Sequence, residues 1–302
     1  MTLFDRVLAI ASLITATLIL GGGFIAARFY FEVGGTPADV TLLRYGTAAV
    51  LLLPIAWKVA STIGVLRSFV LAICGGASFG GLVFVGMTGA PIAHGSAIVP
   101  GLGLIAGTFG GAVFLNEALP KLKLAGLAIG LGGLLLLVGP TVVSADGGAL
   151  WAELCYVAAG LLWATFTVAL KAWAVRPLHG AALASVFSVP LLIAMSFVAD
   201  LNIHNVPIWD TAGQALYQGV VFAIGGIVLY AFAVGKLGAG TSVAAMPLLP
   251  LFATLLDWAL FDGPLTTTTL VAFGVMVISV FLIAAAMRGS STAFSERATI
   301  SK

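Results

Sequence analysis

The chain has 302 residues, 61% of them hydrophobic and only 8% charged, with a formal net charge of +2. A soluble domain of this length needs much more charge on its surface, and a mean hydropathy of +1.18 turns most of the outer surface toward lipid. The small net charge offers nucleic acid nothing to bind. Cys74 and Cys155 both fall in apolar runs and read as buried small hydrophobes, with no disulfide framework.

Spanning lipid takes ~20 apolar residues as helix, whereas barrel strands alternate over roughly 10 residues. The apolar runs here are long and unalternated, so the fold class is an all-α polytopic membrane protein. Ten spans follow in chain order: 7–30, 40–57, 69–88, 95–115, 122–140, 149–170, 180–199, 213–233, 239–261 and 267–287. The first follows Arg6 as a signal peptide does. It is long for one and leads into a bundle, so it stays a helix. The joints are short, and the polar tail 288–302 is expected to be disordered.

Within these spans, a few residues invite function. A charge in hydrocarbon costs a few kcal/mol or more, so an ionisable group there is a functional candidate. Arg44 lies about one turn inside the second span, and Glu153 at similar depth in the sixth. They pair with one another, or bind opposite ends of a zwitterion; a structural ion pair is the plainer reading. The third span holds Gly76–Gly80, a literal G-x-S-x-G, expected inside a continuous helix where serine and glycine merely pack.

The fourth span, beginning at His94, is expected to be interrupted at Pro100, since proline removes a backbone donor. His94 is placed to titrate and gate substrate, or to cap its helix. Gly103, Gly107 and Gly111 recur every fourth residue and form a smooth stripe for close helix approach. Trp163, in the middle of the sixth span, needs a partner or a wet cavity for its indole N–H. Gln214, Tyr217 and Gln218 share one face of the eighth span and look inward. Pro247 and Pro250 interrupt the ninth, and Asp257 deeper in it is a candidate for ion coupling. Three histidines without a close pair point away from a metal, and no cofactor is expected.

Charge sorting supports the count. With ten spans, one side of the membrane collects 11 of the 13 Lys and Arg, and the last two, Arg28 and Arg44, lie within helices. The opposite joints carry Glu32, Asp39, Asp146, Asp200 and Asp210. The positive-inside rule then puts both termini in the cytoplasm, in the plasma (inner) membrane. A shift of 145 residues aligns Gly80 with Gly225, Gly81 with Gly226, Gly95 with Gly240, Ser96 with Thr241 and Glu117 with Asp262. Ten spans therefore read as two five-helix units, 1–143 and 144–287, the second inserted oppositely because five is odd. Inverted repeats with matching broken helices are a mark of secondary transporters.

The stretch "GAPIAHGSAIVPGLGLIAGTFGGAVFLNEALP" resembles the fourth-helix signature of the drug/metabolite transporter superfamily, EamA type. "GAGTSVAAMPLLPLFATLLDWALFDGPLT" is similar to its partner in the ninth helix, and "TPADVTLLRYGTAAVLLLP" to the second, with Arg44 as its arginine. The resemblance implies ten helices in two inverted repeats and movement of small metabolites, often export of amino acids. Leu20-Gly21 stands where the family often has a tryptophan-glycine pair, and Asp257 where a small residue is usual. The function expected is thus a secondary transporter of an amino acid or similar zwitterionic or amphipathic compound, not an enzyme. Export by alternating access is expected, with Trp163, His94, Gln214, Tyr217, Gln218, Arg44 and Glu153 lining the cavity. Pro100, Pro247, Pro250, Gly103 and Gly107 would be the hinges. Protons are a candidate coupling ion, lipid is the surrounding partner, and oligomeric state is left open. A passive channel is the alternative, and an intramembrane serine enzyme ranks last. No nucleotide-binding loop is present to drive transport with ATP.

Overall fold

A computed structural model describes residues 2–144, 147–238, 242 and 245–300. Thirteen α-helices follow in order: α1 Leu3–Glu32, α2 Pro37–Ile63, α3 Val65–Gly75, α4 Ala77–Gly86, α5 Ile92–Leu115, α6 Lys121–Ser144, α7 Gly147–Ala172, α8 Pro177–Val186, α9 Val189–Val198, α10 Ile208–Ala215, α11 Ile227–Leu237, α12 Leu248–Phe261 and α13 Thr267–Ile300. A π-helical stretch, Leu216–Gly226, joins α10 to α11. There is no strand among the described residues. Among the described residues eight helices, counting α3–α4 and α10–α11 as single spans, are long and apolar enough to cross a membrane, and α8–α9 makes nine. α12 is apolar but only 14 residues long. Large apolar side chains such as Trp57, Phe114, Phe197 and Trp209 stand exposed on the outside. In a helical bundle that is the face lipid covers.

The chain turns where its residues permit. α1 and α2 each begin with a capping box, Thr2 with Asp5 and Thr36 with Asp39. α5 and α12 each end on a left-handed residue, Asn116 (φ 54°) and Asp262 (φ 52°), types that tolerate that conformation. The next N–H then bonds back, Glu117 to the Gly111 carbonyl and Gly263 to that of Asp257, both at 3.2 Å. α1 and α7 close alike, Gly35 N–H on Tyr30 (2.9 Å) and Val175 N–H on Leu170 (2.8 Å). A proline then opens the next helix in each case, Pro37 and Pro177.

One joint and three spans are irregular. The joint expected at 58–67 shrinks to Gly64 alone, because its residues remain helical on both sides. The third span breaks at Gly76, so Gly76–Gly80 does not lie in a continuous helix as expected. The seventh bends by 41° between α8 and α9. The two irregularities satisfy each other. Ser188 Oγ, at the bend, accepts from the Ala77 N–H (2.9 Å) and donates to the Ala184 carbonyl (2.7 Å). A Cβ on Gly76 would sit 2.0 Å from that oxygen, so only glycine fits. In the ninth span a turn at 245–247 precedes α12, which Pro247 caps, while 239–241, 243 and 244 lie outside the described residues. α5, by contrast, runs unbroken through Pro100, which corrects the interruption expected there. Its missing donor costs a hydrogen bond without stopping a helix that is packed on both sides.

α5 and α4 pack on α7; α12, α11 and the π-helical stretch pack on α1. α2 packs on α8, and α6 on α13. Small residues allow these approaches. A Cβ on Gly103 would meet Trp163 at 2.6 Å, one on Gly107 would touch Thr167 at 3.4 Å, and Ser279 Oγ donates to the Gly126 carbonyl at 2.6 Å. Alternate joints gather at the same end of the bundle. The α1–α2 and α9–α10 joints are tied by Asp39, which accepts from the Thr36 N–H (2.9 Å) and the Asn202 N–H (3.1 Å). Asn202 Nδ2 also donates to the Gly34 carbonyl (2.7 Å), and Thr36 Oγ1 to that of Asp200 (2.9 Å). The opposite end carries the ion pairs Lys171–Glu117 and Lys236–Asp5.

Candidate functional site

Three polar pairs lie buried in the half of the bundle nearer the Asp39 end, each within roughly 15 Å of that end by helical rise. Every one of them joins two different helices.

Arg28 of α1 reaches Asp257 of α12, Nη1 to Oδ1 at 2.5 Å. Its Nη2 donates to the Phe261 carbonyl (3.5 Å), its plane lies 4.9 Å from the Phe261 ring, and Glu32 stands 3.8 Å away. Asp257 is almost wholly buried, and Arg28 is the cation that allows it to be. The sequence shows Arg28 inside a span but gives no sign of its partner.

Arg44 of α2 is 4% exposed. It does not pair with Glu153, as one reading of the sequence had it. Its Nε donates to Gln218 Oε1 at 2.9 Å, and Nη2 donates to the same oxygen. Gln218 Nε2 donates in turn to the Gly23 carbonyl (2.8 Å). The guanidinium lies between the rings of Phe222 (3.9 Å) and Phe84 (4.7 Å), which stabilise it through their faces. Gly219 makes the approach possible, since a Cβ there would sit 2.5 Å from Thr47. π-helical turns of this kind recur at functional sites. The polar face expected on the eighth span is therefore turned inward. Tyr217 donates to the Ile19 carbonyl (3.1 Å), and Gln214 is buried with its Nε2 unpartnered among the described residues.

Glu153 of α7 binds His94 of α5, Oε1 to Nδ1 at 2.5 Å. Glu153 Oε2 and the nearby Tyr156 hydroxyl have no partner among the described residues. Trp163, two turns further along α7, is half-buried and stacks between Phe79 (5.2 Å) and Phe166 (5.3 Å). Gly103 faces this stack, so two of the expected cavity and hinge residues are neighbours. Pro250 is buried in the first turn of α12. The repeat partners Gly240 and Thr241, and Asp146, lie outside the described residues.

Two cavities flank these pairs. One, of about 500 Å³, opens at the Asp39 end and is lined by Arg28, Glu32, Met87, Pro91, Ile92 and Asp257 among others. The second, of about 460 Å³, is an apolar cleft between α1 and α12, with Tyr217 as its polar side chain. Of the seven cavity residues expected from sequence, Tyr217 alone lines either of these two. The literal G-x-S-x-G starts at the Gly76 break and runs into the first turn of α4, without the strand that exposes a nucleophilic serine in that motif. Among the described residues no cluster of three or more His, Cys, Asp or Glu could hold a metal.

A bundle of apolar helices with ionisable pairs buried between them defines a polytopic membrane protein built around an internal polar site. Comparison with known proteins makes the class specific. Residues 150–285 match the EamA-like transporter family. Over 170 residues the chain is 22% identical to the uncharacterized transporter YoaV of Bacillus subtilis (strain 168). That match covers 56% of this chain and 58% of YoaV, so the chain spans less than two thirds of that relative's length. A solved structure described as "Crystal structure of protein" shares the fold with a TM-score of 0.63 at 17% identity, over 93% of this chain and 97% of that one. The second half of the chain is thus similar to the EamA-like transporter family, a likeness that supports membership of the drug/metabolite transporter superfamily.

Proposed function

We propose that the protein is a secondary transporter that exports a small zwitterionic or amphipathic metabolite, such as an amino acid, by alternating access. Ten spans form two inverted five-helix units, 1–143 and 144–287, in the plasma (inner) membrane. Both termini are cytoplasmic, including the polar tail 288–302, which continues α13 as helix to Ile300 instead of being disordered as expected. The observation that carries this reading is the symmetry of the packing. If each span is exchanged for its counterpart five spans on, the contact of α5 with α7 becomes that of α12 with α1. The contact of α4 with α7 becomes that of α11 and the π-helical stretch with α1. The α2–α8 and α6–α13 contacts map onto themselves. The paired helix endings at Asn116 and Asp262 repeat the relation in the backbone. Two such halves, each able to do at one face what its twin does at the other, suit alternating access.

The substrate passes between the halves, along α5 and α12 on one side and α2 and the π-helical stretch on the other. Trp163, His94, Gln214, Tyr217, Gln218, Arg44 and Glu153 become accessible as the halves rock. Pro100, Pro247 and Pro250 lower the cost of bending, and Gly103 and Gly107 let α5 slide on α7. Asp257 is a candidate for ion coupling if Arg28 releases it.

A metabolite screen in proteoliposomes, with and without a pH gradient, tests the reading. The expected outcome is saturable uptake with counterflow for at least one amino acid or related compound. Conduction without exchange would make the protein a channel. Replacement of Pro100 and of Pro247 by alanine, each tested alone, should slow counterflow; wild-type rates in both variants remove the hinge role.

A further inference from the structure

We propose that Glu153 and His94 form a proton-binding site inside the membrane, with Tyr156 beside it, and that this site couples transport to protons. The coupling role rests on the transporter reading above; the proton site itself does not.

Glu153 is 3% exposed, and only one of its carboxyl oxygens is used. Oε1 meets His94 Nδ1, while Oε2 has no hydrogen-bond partner among the described residues. The Tyr156 hydroxyl, one turn further along α7 on a fully buried side chain, has none either. It cannot swing away to find one. Its ring is clamped in the space left by Gly86 and Gly95, where a Cβ would lie 2.6 Å and 2.4 Å from it. Such orphaned groups are rare in folded proteins and ask for an explanation.

A proton on Oε2 supplies one. It removes a buried charge and turns an orphan acceptor into a donor on the side of the carboxyl group away from His94. With that proton the pair is neutral, whether as imidazole and carboxylic acid or as imidazolium and carboxylate. Without it the pair carries one negative charge. The proton belongs to the two groups together. The neutral form suits the closed, dry site, and the charged form suits a site opened to water. In the exchange an O–H bond forms on Oε2 with a proton from water at one face. The same bond breaks to return it to water at the other. His94 Nδ1–H keeps its bond to Oε1 throughout, and nothing is oxidised or reduced.

The surrounding charges favour this carboxyl over its rival. α5 contributes His94, α7 contributes Tyr156 and Cys155, and α12 contributes Asp257 with Arg28 of α1 on it. α4 has no ionisable side chain; Arg67 of α3 and Lys121 and Lys123 of α6 lie at the far ends of their helices, and Cys74 of α3 is neutral. Asp146, on the approach to α7, lies outside the described residues. Asp257 already holds a permanent cation, Arg28, at 2.5 Å. Among the described residues Glu153 faces the His94 imidazole in place of a permanent cation.

Infrared difference spectroscopy of the full chain in lipid nanodiscs, stepped through pH without substrate, reads the site directly. The wild type should show the carbonyl stretch of a protonated carboxyl group that titrates. Glu153→Gln should lose it, and Asp257→Asn should keep it. His94→Gln and Tyr156→Phe should each move its midpoint by about one pH unit, tenfold in proton affinity. A band that survives in Glu153→Gln, or that vanishes in Asp257→Asn, overturns the assignment. If Glu153→Gln fails to fold, unmoved midpoints in both other variants overturn it equally. In proteoliposomes, the response of metabolite uptake to a pH gradient should disappear in Glu153→Gln. Uptake without a titrating Glu153 band sinks this site and leaves the transporter reading standing. A titrating band with no metabolite moved does the reverse and removes the coupling role.

Discussion

At the Asp39 end, joints far apart in sequence are stitched through two buried carboxylates, Asp39 to Asn202 and Asp257 to Arg28, with the exposed bonds Asn202 to Gly34 and Thr36 to Asp200 beside them. At the opposite end the joints meet through Lys171–Glu117 and Lys236–Asp5, pairs that stand in solvent. The chemistry is similar, but the surroundings differ. A buried hydrogen bond or ion pair leaves an unsatisfied group when it opens, at about 1–3 kcal/mol for each. An exposed pair opens onto water and contributes roughly 0–1 kcal/mol. The stitched end therefore behaves as one body, and the basic end is free to part first. If the two faces open in turn, as proposed, this sets the order in which the halves separate.

The largest effect should come from Arg28→Ala, which leaves Asp257 buried without its cation. Breaking one side of a buried pair costs about 3–5 kcal/mol, read as a lowered thermal unfolding midpoint in detergent micelles. The double variant Arg28→Ala/Asp257→Ala should recover much of that loss, because no lone charge remains. Equal loss in the single and double variants would show that Arg28 acts through packing on Phe261 instead of through charge.

Asp39→Ala comes next. It removes the α2 capping box and strips acceptors from the Thr36 and Asn202 N–H groups, at a combined cost of about 2–3 kcal/mol. It should also free the α9–α10 joint, so that a cysteine introduced at Asn205 labels faster in intact vesicles. Unchanged stability and labelling would mean that the stitched end does not depend on Asp39.

Much of this contrast was open to reading from residue order. The Thr36–Asp39 spacing announces a capped helix, the sorting of basic residues divides the joints into two ends, and the long apolar runs give the class. Arg44, His94, Glu153 and Asp257 stand out as ionisable groups within apolar runs. Their partners do not, because each pairing joins segments 59 to 229 positions apart. Nothing local links Arg28 to Asp257 or Arg44 to Gln218. The irregular spans were hidden for a related reason. Gly76 looks like any packing glycine until Ser188 arrives from another helix to complete its break. Pro100 looks like a breaker, yet α5 is held from both sides and continues through it. A local rule tells what a residue prefers, and the neighbours brought by the fold decide whether it gets it.

The smallest effect expected is also the sharpest test of the contrast. Lys171→Ala removes the better formed of the two pairs at the basic end, where Lys171 is two-thirds exposed. Its loss should change stability by no more than about 0.5 kcal/mol, within the scatter of most unfolding measurements in detergent. Its effect belongs to kinetics. If Lys171 and Glu117 meet only while the basic end is closed, their attraction slows its opening, and the variant should show faster counterflow with unchanged apparent affinity. High salt should produce the same acceleration in the wild type and little in the variant, because screening already weakens an exposed pair. A large loss of stability in Lys171→Ala would mean that the basic end is stitched as firmly as the other, and the asymmetry between the two ends would have to be abandoned.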